Sequence, residues 1–366
     1  MKELQVIAYY LPQFHVIPEN NEWWGENFTE WVNVKNAKSF FPGHKQPNVP
    51  TDELGYYNLL DDNVRRKQAT LAKEAGIDGF CYWHYWFGNG KELLEKPFKL
   101  TLTDKENDFG FCLGWANESW QKKQWRRDGS GDVTLIEQKY CGKKDDENHF
   151  YAYLSAFKDP RYMRCNGKPI FLIYKPFKHP YVSDFITHWN QLAKENGLEG
   201  FCFVAELGSN FKFSDIEKLK SKGFSYVTTE RSNLRQGPLL NKMFYIIKNF
   251  ILRRPIRSMS YKSLLPWAYT KKDNEFNILP GICPNWDHSP RSGRLTNLLY
   301  NPDPKLFGKL AKKTLIINKE GKKLPILFIK SWNEWGEGNY MEPDTVFGKG
   351  YIEELKRAIN EVYGGL

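Results

Sequence analysis

Ala75-Gly76-Ile77-Asp78-Gly79-Phe80-Cys81 and Asn196-Gly197-Leu198-Glu199-Gly200-Phe201-Cys202 repeat one pattern. Each follows a helical stretch, stops it with glycine and enters an apolar run that reads as a buried strand. Lys222-Gly223-Phe224-Ser225-Tyr226-Val227 is a weaker third copy. Repeated units of helix, glycine and strand mark parallel α/β architecture.

Working outward, eight apolar runs read as strands, at 4–10, 79–85, 110–115, 169–174, 200–205, 225–229, 278–283 and 325–330. Helical periodicity covers 61–75, 181–196 and 351–363, and Ser214-Asp215-Ile216-Glu217 reads as a capping box opening another helix. Eight parallel strands with helices between them predict an α/β fold, a (β/α)8 TIM barrel. Residues 1–366 are expected to form a single catalytic barrel domain carrying a basic helical insertion at 231–273. Such barrels place their active sites at the C-terminal ends of the strands.

That rule collects residues from distant parts of the chain. Tyr9-Tyr10-Leu11-Pro12-Gln13-Phe14-His15 ends the first strand, with Trp23, Trp24, Glu26, Glu30 and Trp31 following. Trp83 and His84 end the second, Trp115, Asn117 and Glu118 the third, Glu206 the fifth, and Trp286 and Asp287 the seventh. The eighth, Pro325-Ile326-Leu327-Phe328-Ile329, runs into Lys330-Ser331-Trp332-Asn333-Glu334-Trp335-Gly336-Glu337-Gly338-Asn339. Paired carboxylates are what glycosidic-bond chemistry needs, and flat aromatic faces are what sugars stack on. Glu334 and Glu337 are therefore the candidate catalytic pair. Tyr10, His15, Trp24, Trp83, His84, Trp115, Asn117, Glu118, Glu206, Trp286, Asn333 and Trp335 are candidate substrate contacts. A second pairing, Glu118 with Glu334, competes with a structural role for Glu118 beside Arg126 or Arg127. Asp128 and Asp287 suit either a hydroxyl contact or a turn cap.

Composition agrees with a sugar-handling cleft: of 366 residues, 16% are aromatic and 13 are Trp, clustered near Gly, Asn and acidic residues. Six cysteines lie scattered, without a Cys-x-x-Cys, and Cys81, Cys112 and Cys202 fall inside expected strands. Free core thiols and the absence of a secretory signal at the start lead to the expectation of a cytoplasmic protein. No metal or cofactor is expected, because ligand spacings, a P-loop and a Gly-rich dinucleotide turn are all missing. The metal-held Asp-x-Asp signature of nucleotide-sugar transferases is missing too.

The net charge of +10 concentrates in one segment. Between Glu230 and Asp273 there is no acidic residue, while ten Lys and Arg lie there. Leu239, Leu240, Met243, Phe244, Ile247, Phe250 and Ile251 fall on helical spacing among them. Through 239–262 this segment is expected either to meet an anionic membrane or a lipid-linked glycan, or to cover the barrel with a solvated basic face. No nucleic-acid motif accompanies the charge, so nucleic acid is not an expected partner.

Together, the segment from Tyr9 to His15, the Trp23–Trp31 cluster, Trp115-Ala116-Asn117-Glu118 and the segment from Trp332 to Gly338 resemble the WbsX-type proteins. These are the glycoside hydrolase family 99-like proteins encoded among bacterial O-antigen and capsule genes. The likeness runs nearly end to end. A more distant resemblance is to family 99 proper, (β/α)8 enzymes that cleave α-mannosides internally with retention. The resemblance implies an oligosaccharide or polysaccharide substrate. It also implies that Glu334 acts as base on the sugar's own 2-hydroxyl, and that Glu337 protonates the leaving oxygen and then activates water or an acceptor. Where family 99 proper carries His between the motif's Trp and second Glu, this chain has Gly336. The expected function is thus glycoside hydrolysis. The alternatives are glycosyl transfer in O-antigen or capsule synthesis, or a catalytically inactive glycan-binding barrel.

Overall fold

The structure is a computed structural model and describes residues 4–122, 131–208, 211–230, 239–252, 254–255, 257–266, 268–321 and 324–364. Eight parallel strands run through it in chain order: β1 (Gln5–Tyr10), β2 (Gly79–Trp86), β3 (Gly110–Trp115), β4 (Lys168–Ile173), β5 (Cys202–Leu207), β6 (Tyr226–Glu230), β7 (Ile278–Ile282) and β8 (Ile326–Ile329). They form a closed α/β barrel of the TIM class. Almost every described residue on the strands is buried, as a parallel sheet covered on both faces requires. Strand limits shift from the sequence expectation by one or two residues. On β5 the shift is largest, because Gly200 takes a left-handed turn and Phe201 precedes the ladder.

By their contacts the residues group into two compact units. The first takes in the chain up to Asp78 and nearly everything from Thr229 onward. Within it β1 pairs with β8 (Gln5 to Ile326, Ala8 to Ile329), and β8 pairs with β7 (Gly281 to Phe328). Helix α1 (Asp62–Glu74) opens with Asp61, whose carboxylate accepts the Asn63 N–H at 2.9 Å. Helix α2 (Pro304–Glu320) opens likewise, Asp303 accepting the Lys305 N–H at 2.8 Å. It lies along α3 (Gly350–Tyr363), with Phe307 edge-on to Tyr351 and Lys312 paired to Glu361 at 2.8 Å.

The second unit holds β2 to β5 as successive parallel pairs. Its core is aromatic, centred on Trp189, Phe171 and Phe201. Gly76, Gly197 and Gly223 sit at φ of 84°, 81° and 99°, so the repeated helix-to-strand pattern is a repeated left-handed helix end. The expected capping box at Ser214 is corrected. The helix spans Phe213–Ser221, and Asp215 caps it by accepting the Lys212 N–H at 2.9 Å. Ser214 lies inside the first turn, two residues beyond the N-cap Lys212.

The basic segment contains a helix, Leu239–Ile251, and a strand, Arg257–Ser260, that pairs in parallel with Asn297–Tyr300. None of the six cysteines forms a disulfide, and five of them are buried. Among the described residues no helix is long and apolar enough to cross a membrane.

Candidate functional site

Beyond β8 the chain makes a small, heavily pinned loop. Asn333–Glu334 pairs antiparallel with Asn339–Tyr340, and Trp335–Glu337 forms a single helical turn between them. Asn333 is buried and clamps the end of β1, accepting the Leu11 N–H at 2.7 Å and donating to the Leu11 carbonyl at 3.0 Å. The Ser331 hydroxyl donates to the Asn339 carbonyl (2.7 Å) and accepts the Glu334 N–H (3.0 Å). The Trp332 N–H reaches the Tyr9 carbonyl at 2.7 Å. Glu334 and Glu337 are thus presented on a backbone fixed at both ends.

Trp335 is wholly buried, its ring stacked on Tyr340 with centroids 3.8 Å apart. A ring with no exposed face supports the loop instead of stacking on a sugar. Its indole N–H donates to Glu342 at 2.6 Å. Glu342 also accepts from the Tyr57 hydroxyl (2.8 Å) and the Gln68 amide (2.6 Å), and Gln68 in turn accepts from the Tyr10 hydroxyl (2.7 Å). Burial pushes the Glu342 carboxyl up to about 7, against the opposing pull of these hydrogen bonds. Tyr10, expected to touch substrate, is instead spent on this buried network.

The loop's other partner is Arg291, eight residues after Cys283. Its Nε is 2.8 Å from Glu30, and its Nη1 is ion-paired with Glu337. Burial opposes the guanidinium's charge, but the charges of Glu30, Glu337 and then Glu334 outweigh it and raise the Arg291 pKa. One cation therefore serves three carboxylates. His288 adds its Nε2 at 3.7 Å from Glu337. Gly336 is a consequence of this arrangement: a Cβ there would collide with the Glu30 carboxylate and crowd the Arg291 Nε. Glu334 itself is buried and accepts from the Asn339 amide at 3.1 Å.

Asp287 serves the scaffold. Its carboxylate accepts from His44 (2.8 Å), Gln46 (2.6 Å) and the Ser289 N–H (3.0 Å), and its own N–H holds the Glu337 carbonyl at 2.7 Å. Burial alone would raise its pKa; His44 and the other donors reverse that and lower it. Trp286 is half-buried. Trp24 is exposed and stacked on Phe28, and His15 is buried with Nδ1 2.9 Å from the Pro12 carbonyl.

In the second unit, Trp83 lies edge-on to Tyr174, and the Trp115 indole donates to the Trp86 carbonyl at 2.9 Å. Asn117 is buried, holding Lys175 through both its N–H (2.8 Å) and its carbonyl (3.0 Å). His84 is corrected as a hydroxyl contact. It is buried with Nε2 2.6 Å from the His149 Nε2, and burial lowers its pKa to about 3. Glu118 pairs with Lys178 at 3.4 Å, and Glu206 is buried near the end of β5. Arg126, Arg127 and Asp128 lie outside the described residues. Among the described residues no three His, Cys, Asp or Glu side chains converge as a metal site requires.

Glu30 is named from sequence only within the cluster after the first strand, without a role, and Arg291, His288 and Glu342 are not named. The first lies in the aromatic cluster after β1, and Arg291 and His288 follow β7, so the strand-end rule does reach them.

A parallel barrel with carboxylates gathered on its strand-end loops is a frame on which many glycan-processing enzymes are built. Residues 6–355 match the model of the family described as Glycosyltransferase WbsX. The chain belongs to that family. Two curated relatives, both called uncharacterized protein WxcX and from two strains of Xanthomonas campestris pv. campestris, are 32% identical over 97% of this chain. The chain spans 49% of their length. Among solved structures, the GH99 endo-alpha-mannosidase of Bacteroides thetaiotaomicron, in complex with bis-tris propane, superposes with a TM-score of 0.60. It is 16% identical and covers 98% of this chain and 97% of its own. A protein described as glycoside hydrolase-like gives the same score at 13% identity, covering 98% of this chain and 94% of its own.

Proposed function

We propose that this chain is a carbohydrate-active enzyme that breaks an α-glycosidic bond with retention, using Glu334 and Glu337. The observation that carries this reading is Arg291, which lies 2.8 Å from Glu30 and is ion-paired with Glu337, three residues after Glu334 on one pinned loop. Arg291 fixes the Glu337 carboxylate on the same short loop that carries Glu334, the kind of positioning that acid–base chemistry at one bond needs. One protonated and one ionised carboxyl is the state the reaction starts from. Glu334 takes the proton from the sugar's 2-hydroxyl as that oxygen attacks the anomeric carbon and closes a 1,2-anhydro ring. Glu337 gives its proton to the departing oxygen. It then takes a proton from the incoming hydroxyl as that group opens the ring, and Glu334 returns its proton to the 2-oxygen.

The incoming group distinguishes two outcomes: water completes a hydrolysis, and a sugar hydroxyl completes a transfer. The family's glycosyltransferase description favours transfer and the barrel's likeness to an endo-mannosidase favours hydrolysis. An α-mannan and a bacterial surface polysaccharide are the first substrates to offer, in bacterial surface-polysaccharide metabolism. Glu334→Gln and Glu337→Gln are each expected to lower turnover by at least about a hundredfold. Undiminished glycan affinity in both variants with no turnover in the parent would instead identify a binding protein.

A further inference from the structure

The helix Leu239–Ile251 wears its apolar side outward. Met243, Phe244, Ile246, Ile247, Phe250 and Ile251 are all exposed, Phe250 by 76% and Ile251 by 70%, and Leu252 continues the patch. At the helical repeat these six side chains cover an arc of about 160°. On the opposite side Asn249 is buried, and its amide donates to the Ser258 carbonyl at 2.6 Å. A helix covering a barrel would do the reverse. Soluble proteins rarely leave so large a contiguous apolar patch uncovered unless it meets something.

The surrounding charge says what it meets. From Arg231 to Lys272 the chain has ten Lys and Arg and no Asp or Glu. Lys248 stands at the rim of the apolar arc, its ammonium 5.6 Å from the Phe244 ring centroid. Lys262 is exposed just after the strand that Asn249 holds. An apolar face with Lys248 at its rim, in a segment of ten cations and no acidic residue, matches a layer of anionic headgroups over acyl chains. A symmetric contact with a second copy would set these cations against one another. At 13 residues the helix is too short to cross a bilayer, so it would lie along the surface.

We propose that this helix docks the protein on an anionic lipid bilayer, its apolar face in the headgroup layer. The inference rests on this surface alone and is independent of the glycosidic chemistry above.

The test is flotation of the full chain with vesicles of phosphatidylglycerol and phosphatidylcholine in equal parts, beside vesicles of phosphatidylcholine alone. Co-flotation is expected with the anionic vesicles at low salt. It should fall at least tenfold at about 1 M salt, where the screening length shrinks to about 3 Å. It should fall as far in an Ile247→Glu/Phe250→Glu double variant, which changes only exposed side chains and whose folding is checked by thermal melting. A single Lys248→Glu change should weaken it without touching the apolar face. The proposal is overturned by three outcomes: no co-flotation at low salt, equal binding to neutral vesicles, or unchanged binding by the double variant. It is overturned equally if light scattering finds a dimer that the double variant dissolves.

Discussion

Arg291 carries more of the account than any other side chain, because its guanidinium ties Glu30 to Glu337 and feels Glu334. Its effect on the acid can be isolated through Glu30. Glu30→Gln removes a negative charge near Glu337 and leaves Arg291's charge to fewer carboxylates. Arg291 is then held from one side only, so the Glu337 carboxylate it pairs with is less firmly placed. Turnover is expected to fall at least about tenfold in this variant; unchanged turnover would remove Glu30 from the positioning of Glu337. Gly336→Ala should abolish most activity and also lower stability by about 1–3 kcal/mol, since the added methyl displaces the buried Glu30 carboxylate from its place beside Arg291. Glu334 and Glu337 stand out in the sequence because they share one local motif after a strand. Glu30 and Arg291 stand 261 residues apart, and only the closed barrel brings such positions together. Nor does sequence tell an inward Trp from an outward one, which is why Trp335 reads as a platform before its burial is known.

At the scale of elements, the pattern of helix, glycine and strand was readable because its physics is local: a left-handed residue ends each helix. Ser214 and Asp215 both suit a helix start, and only the path of the backbone decides which of them caps. The caps on α1 and α2 lend themselves to direct test. Asp61→Ala and Asp303→Ala each remove one carboxylate acceptor from a first-turn N–H, at an expected cost of about 1 kcal/mol in denaturant unfolding. The loop after β8 belongs to this scale too. Asn333 and Ser331 bind it to its surroundings through backbone groups, so it presents two carboxylates without needing large side chains around them. Periodicity likewise revealed that 239–251 is amphipathic, yet could not say which face the protein takes, since that depends on what lies beneath.

Over the whole molecule, buried titrating groups couple folding to pH. Glu342 rises from 4.5 to about 7 on folding, so the folded state binds more protons than the unfolded one between those values. Its contribution to stability is fully present below pH 4.5 and is lost as pH rises through 7, on the order of 3 kcal/mol in all. Glu342→Gln is therefore expected to gain thermal stability relative to the parent as pH climbs from 4.5 to 8, in melting curves taken side by side. A constant difference across that range would contradict the buried-acid assignment. The barrel strands, in this account, serve to present Glu334 and Glu337 to a glycosidic bond. The most direct measurement is product analysis after the parent chain and Glu337→Gln are incubated with α-mannan and with bacterial surface polysaccharide, with and without an acceptor sugar. Shortened or extended glycans from the parent, at least about a hundredfold fewer from the variant, are the predicted result. Equal product from both would contradict it.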